Sequence, residues 1–115
     1  MTSKELAEKI GNLLDEKKAQ EINIIDIDEK SGFADYMIIA TAGSERHLKS
    51  LVDEVEFMLE KDDVFVKRIE GQTSSGWLLM DYEDCIVNIL TEEARNKYNI
   101  EKIWADCRQI ILEGK

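Results

Sequence analysis

The chain contains no proline, a single histidine, two cysteines and only six glycines. Without proline, and with so little glycine, it lacks the composition of a flexible linker or an extended Pro-rich tail. One histidine, His47, leaves no Cys–His or Ser–His–Asp pairing that spacing can support, and neither a P-loop nor a dinucleotide fingerprint is present. Cys85 and Cys107 have neither metal-ligand nor redox spacing, and Cys85 lies in an apolar run, where a buried free thiol is the default. No apolar stretch resembles a signal peptide or a membrane span, and the early acids speak against a mitochondrial presequence. These absences predict a protein of the reducing cytoplasm with no membrane partner.

What is present is a globular composition. Apolar residues make up 43% of 115 residues, enough for one hydrophobic core and one domain, residues 1–115, with no internal repeat. Fifteen basic against twenty-five acidic residues give a formal charge of −10. Such a surface repels phosphate backbones, which disfavours direct DNA binding, and is drawn to a basic patch on a protein.

Leu6, Ile10, Leu13 and Leu14 recur at helical spacing, predicting a helix over about 3–18 with Ser3 as its cap. A β-branched strand over 22–27 follows, and Ser31-Gly32 breaks the chain. The almost wholly apolar run 36–41 predicts a central strand. Ser44 is placed to cap a long helix over 44–60, with Leu48, Leu51, Val52, Val55 and Met58 on its apolar stripe. Residues 64–69 predict a third strand. Segments 77–81 and 85–90 predict a hairpin turning at Tyr82-Glu83-Asp84, and the tail from Glu92 begins as a short helix ending near Ile103-Trp104. The order α-β-β-α-β-β-β-α specifies the α/β class: a mixed five-stranded sheet with flanking helices.

Three segments can carry chemistry. The turn Gly43-Ser44, opening a helix beside Arg46 and His47, offers backbone N–H groups to an anion, but reads more readily as an ordinary helix cap, since such turns are common and Glu45 opposes an anion there. Asp81 and Glu83 are spaced as paired carboxylates for a divalent metal, yet fall in a turn where acids are normal turn formers. In the run 76–82, alternation puts Trp77, Leu79 and Asp81 on one strand face and Leu78 and Met80 on the other. An exposed Trp and Leu beside acids is the composition of a binding hot spot. A strand buried on both faces has the same pattern.

The block from Ser31 to His47, Ser31-Gly32-Phe33-Ala34-Asp35-Tyr36-Met37-Ile38-Ile39-Ala40-Thr41-Ala42-Gly43-Ser44-Glu45-Arg46-His47, resembles the central signature of the Iojap-type ribosomal silencing factors. So do Glu70-Gly71, the run Gly76-Trp77-Leu78-Leu79-Met80-Asp81-Tyr82, and Arg95, Tyr98, Glu101, Trp104 and Asp106. The resemblance covers nearly the whole chain and keeps the order and spacing of both blocks. It implies a nucleotidyltransferase-like α/β architecture without the catalytic carboxylates of those enzymes. It further implies docking on the large ribosomal subunit through its protein L-fourteen, blockage of subunit joining chiefly when nutrients are short, and a homodimer when free. The residues it assigns to the partner are Trp77, Leu79, Asp81, Tyr82 and Asp84. The chain departs from the family where Glu83-Asp84 replaces a common Gly-Asp and Asn88 replaces a His.

The leading expectation is therefore a non-enzymatic translational repressor without cofactor, metal or catalytic residues. The alternative is a nucleotide-binding enzyme of the nucleotidyltransferase type, using Gly43-Ser44 and Asp81/Glu83.

Overall fold

The computed structural model describes residues 1–112. Helix α1 (Ser3–Glu16) starts at Thr2, whose hydroxyl accepts from Glu5 N–H while the Glu5 carboxylate accepts from Thr2 N–H. This reciprocal capping box puts the cap one residue before the Ser3 expected from sequence, because the acid three positions on pairs with Thr2. The buried stripe Leu6, Ile10, Leu13 and Leu14 faces the sheet. Strand β1 (Gln20–Asp26) carries a register irregularity between Gln20 and Asn23, and a one-turn helix, α2 (Asp28–Ser31), leads to β2 (Tyr36–Ala42). Every residue of β2 is buried, as the sequence predicts for a central strand. Helix α3 (Glu45–Glu60) is capped by Ser44, whose hydroxyl accepts from His47 N–H.

Strands β3 (Arg68–Gln72), β4 (Trp77–Asp81) and β5 (Cys85–Thr91) form an antiparallel meander. Helix α4 (Glu92–Tyr98), a 3₁₀ turn (Ile100–Trp104) and strand β6 (Arg108–Ile110) complete the described chain. The sheet order is β3-β4-β5-β2-β1-β6, with β2 and β5 parallel and the other neighbours antiparallel.

The sheet thus has six strands among the described residues, not five, and the third strand sits later than predicted. Pairing with β4 runs from Arg68 opposite Asp81 to Gln72 opposite Trp77, so the ladder begins only at residue 68. Val64 and Val66, which mark the predicted strand, instead pack against the core as the chain leaves α3. The paired residues themselves are all exposed and carry no apolar alternation. Strand β6 is only three residues long and mostly exposed, too short and polar to announce itself.

Alternation divides the core between the two sheet faces. Ile24, Ile38, Ala40, Leu78, Met80, Val87 and Ile89 meet α1 and α3. Ile25, Met37, Ile39, Ile86 and Leu90 point the other way, where Ala94 of α4 and Trp104 join them. On that second face the short C-terminal elements pack over the middle of the sheet, and α4 makes its contacts with β5 and β2. The side chains of β3 and β4 there are exposed or only half-buried, apart from Asp81.

Candidate functional site

The open half of this second face is built by register. Opposite residues share a face, so Arg68, Glu70 and Gln72 of β3 lie beside Asp81, Leu79 and Trp77 of β4, and these beside Ile86, Asn88 and Leu90 of β5. Trp77 and Leu79 are half-buried and border an open recess with Glu70, Gly71 and Ser75. The indole is held from two sides. Its Nε1–H donates to Asn88 Oδ1 at 2.9 Å, and its ring lies 5.0 Å from that of Tyr98, tilted by 43°. Tyr98, at the end of α4, is itself 42% exposed.

Helix α4 is seated by Arg95, a buried guanidinium that donates to the Glu21 carbonyl (2.6 Å), to Thr41 Oγ1 (2.9 Å) and to Glu101 Oε2 (2.8 Å). A buried cation with this many directed acceptors fixes the helix relative to β1 and β2, and with it the Tyr98 ring.

The five residues assigned from sequence separate. Trp77, Leu79 and Asp81 share one face as alternation predicts. Asp81 is only 8% exposed, and both its oxygens are committed: one accepts from Glu83 N–H at 2.8 Å, the other pairs with Arg68 at 3.0 Å. It shapes the turn, where Glu83 has φ of 70°, and steers Arg68. Asp84 is exposed, on a groove with Phe33, Lys67 and Ile86.

Tyr82 does not rim this face. Its N–H still donates to the Cys85 carbonyl, so alternation carries the ring to the side of Leu78 and Met80, where it is buried in the core under α1 and α3. Desolvation, and then Glu56 and Glu60, push its phenol well above the ordinary range.

Asn88, a departure from the family pattern, is buried and holds the indole rather than offering a surface contact. Sequence reasoning gave no role to Asn88, Arg68 or Tyr98. The resemblance marked Tyr98 and Arg95, but only the packing shows that one stacks on Trp77 and the other seats its helix.

The parts of the enzymatic alternative do not converge. Gly43 follows the end of β2, whereas Asp81 lies level with Ile86 and Met37 near the start of β5 and β2, about 20 Å away along the strands. At the helix start, Ser44 is spent on the cap. Gly43 N–H donates to His47 Nδ1 at 2.9 Å, and Nε2 lies 2.8 Å from the Lys17 carbonyl. These partners put the ring proton on Nε2, where it ties α3 to the end of α1. Asp81 is paired with Arg68, and Glu83 with Lys67 at 3.3 Å. Among the described residues no group of acids, His or Cys has metal-binding geometry, and no helix is long and apolar enough to cross a membrane.

The whole chain, residues 1–115, matches the family described as ribosomal silencing factor during starvation. It is 30% identical over 114 residues to the ribosomal silencing factor of Halalkalibacterium halodurans, covering 99% of this chain and 97% of that one. It is also 30% identical to the mouse protein named mitochondrial assembly of ribosomal large subunit protein 1, over 81% of this chain and 42% of that protein. A crystal structure of a Chromobacterium violaceum protein superposes with a TM-score of 0.87 at 26% identity, over 100% of this chain and 95% of that one. With its full length matched and its fold shared, this chain belongs to the ribosomal silencing factor family.

Proposed function

We propose that the protein represses translation by docking on the large ribosomal subunit through its protein L-fourteen, where its bulk keeps the small subunit from joining. The observation that carries this is the Trp77 ring, held by Asn88 and Tyr98 on a sheet face that the protein's own helices leave open. A pre-set aromatic beside Leu79, rimmed by charged side chains, has the make-up of a binding hot spot. The formal charge of −10 favours a basic ribosomal protein as the target. The mouse relative's name, which speaks of the ribosomal large subunit, supports that subunit as the partner.

The mechanism is occlusion. A domain some 30 Å across, with extents of 33 × 32 × 29 Å, excludes a second particle from the surface it covers. The family and its Halalkalibacterium halodurans member are named for ribosome silencing, and the separation of Gly43-Ser44 from Asp81/Glu83 removes support from a nucleotidyltransferase reading. Free in the cytoplasm, the protein forms a homodimer that covers the same apolar face. Light scattering at high micromolar concentration tests this, and a monomer mass rejects it. Sedimentation with separated subunits tests the main proposal. Co-migration with the large subunit alone, and reduced subunit reassociation when the protein is added, are the expected results; co-migration with neither subunit refutes it.

A further inference from the structure

The open face does not end at Asp81. Beyond it the groove bordered by Lys67, Asp84 and Ile86 runs up to Phe33, whose side of the ring away from the protein is bare: the residue is 61% exposed. Phe33 is not on a loose tip. Ser31 Oγ accepts from the N–H groups of Phe33 (3.2 Å) and Ala34 (3.3 Å) and donates to the Ala34 carbonyl at 2.8 Å. The ring stands edge-on to Trp104, centroids 6.1 Å apart at 62°. Trp104 belongs to the same core as Trp77 and Leu79.

An aromatic held by its neighbours borders a recess at each end of this face: half-buried Trp77 with Tyr98 at one, exposed Phe33 at the other. About 13 Å of strand separates Trp77 from Asp81, the residue next to the Phe33 groove. Between the two ends lie the acids Glu70, Asp81, Glu83 and Asp84 and the cations Lys67 and Arg68. Arg68 pairs with Glu70 and Asp81, and Lys67 with Glu83, while Asp84 has no cation partner among the described residues.

We infer that Phe33 is a second anchor of the docking face, inserting between apolar side chains of the same basic protein partner that Trp77 engages, with Asp84 beside it receiving a lysine or arginine. This rests on the docking reading above and deepens it: the footprint takes in the loop between α2 and β2, and the partner presents two apolar sites joined by a basic stretch. Charge complementarity decides the occupant, since the one unpaired charge lining the Phe33 groove, Asp84, is negative.

The test is a titration of purified large ribosomal subunits with the full chain and four variants. Phe33→Ala is expected to weaken binding about tenfold or more, as loss of a hot-spot aromatic does. Phe33→Leu, which keeps an apolar side chain against Trp104, is expected to retain most of the affinity. Phe57→Ala removes an aromatic of similar exposure (57%) from α3, on the opposite side of the sheet, and is expected to bind as the unaltered chain does. Trp77→Ala reports on the docking reading itself, and equal melting temperatures with unchanged circular dichroism exclude a collapse in the Phe33 variants. If Trp77→Ala weakens binding and Phe33→Ala does not, the second anchor is wrong and the docking face stands. If Phe57→Ala weakens binding as much as Phe33→Ala, the effect is not local to the loop and the inference falls. If the unaltered chain does not bind, both fall.

Discussion

At the scale of single residues, the proposed docking face depends on side chains held by others. The Trp77 indole keeps one orientation because Asn88 accepts its N–H and Tyr98 covers one side of the ring. An anchor ordered before binding loses little rotamer freedom on contact. Trp77→Ala is therefore expected to cost about 2 kcal/mol or more of affinity for the large subunit, read by titration once circular dichroism shows the variant folded. Undiminished affinity in a folded variant places the docking face elsewhere. Asn88→Ala removes the acceptor without touching the surface. It is expected to cost stability of about 1–3 kcal/mol and to weaken binding as well, because the indole is released. Normal binding by that variant shows that the hydrogen bond does not set the ring. The two cysteines differ as sharply. Burial, then Asp84 and Asp35, push the Cys85 thiol up to about 12, and the residue has no exposure. A thiol reagent at neutral pH is expected to label one cysteine quickly, Cys107, and the other only as fast as the protein opens. Rapid labelling of both contradicts the packing of Cys85 beneath α1.

At the scale of elements, legibility followed burial. Helices α1 and α3 and strands β2 and β5 each put long apolar side chains into the core at a fixed period, so their positions could be read from spacing. Strands β3 and β6 lie at the sheet edges, and their pairing is decided by β4 and β1 rather than by their own side chains. The same logic governs the site. Alternation grouped Trp77, Leu79 and Asp81 correctly, but could not reveal that Tyr82 keeps the strand's alternation past its end, nor that Arg68 occupies Asp81. The first comes from the Tyr82 N–H bond to the Cys85 carbonyl in the turn, the second from β3, a partner strand whose register nothing in sequence records. Leu51 lies on the α3 stripe and is 1% exposed. Leu51→Ala is expected to cost about 2–5 kcal/mol in chemical denaturation, and a loss under about 1 kcal/mol means α3 does not seal the core. Gly71 tests the edge. Its φ is +101°, and a Cβ there runs into the Trp77 carbonyl oxygen. Gly71→Ala is expected to loosen β3 from β4 and to cost about 1–3 kcal/mol, measured by the same denaturation; a wild-type midpoint shows that the edge adjusts freely.

At the scale of the whole molecule, charge and shape act at different distances. The excess of ten acidic residues is felt before contact, over roughly 10 Å at 0.1 M salt, and draws the protein toward basic surfaces in many orientations. In the proposed docking, the aromatic face acts only at contact and selects one orientation. Separating the two requires a charge change that leaves the anchors in place. Asp84 provides it: the residue is exposed, its side chain has no cation partner among the described residues, and only its backbone is committed, the carbonyl accepting from Asp35 and Tyr36 N–H groups and the N–H donating to the Tyr82 carbonyl. Asp84→Lys leaves those backbone bonds intact and reverses one charge beside the groove. If steering is electrostatic, this variant associates more slowly with the large subunit at low salt, and the deficit shrinks as salt rises because exposed charges are screened. Dissociation changes less, since Trp77 and Leu79 still make the contact. Association and dissociation rates measured at several salt concentrations give both quantities. An Asp84→Lys protein that associates at the unaltered rate at low salt removes the acidic surface from the mechanism and leaves recognition to shape alone.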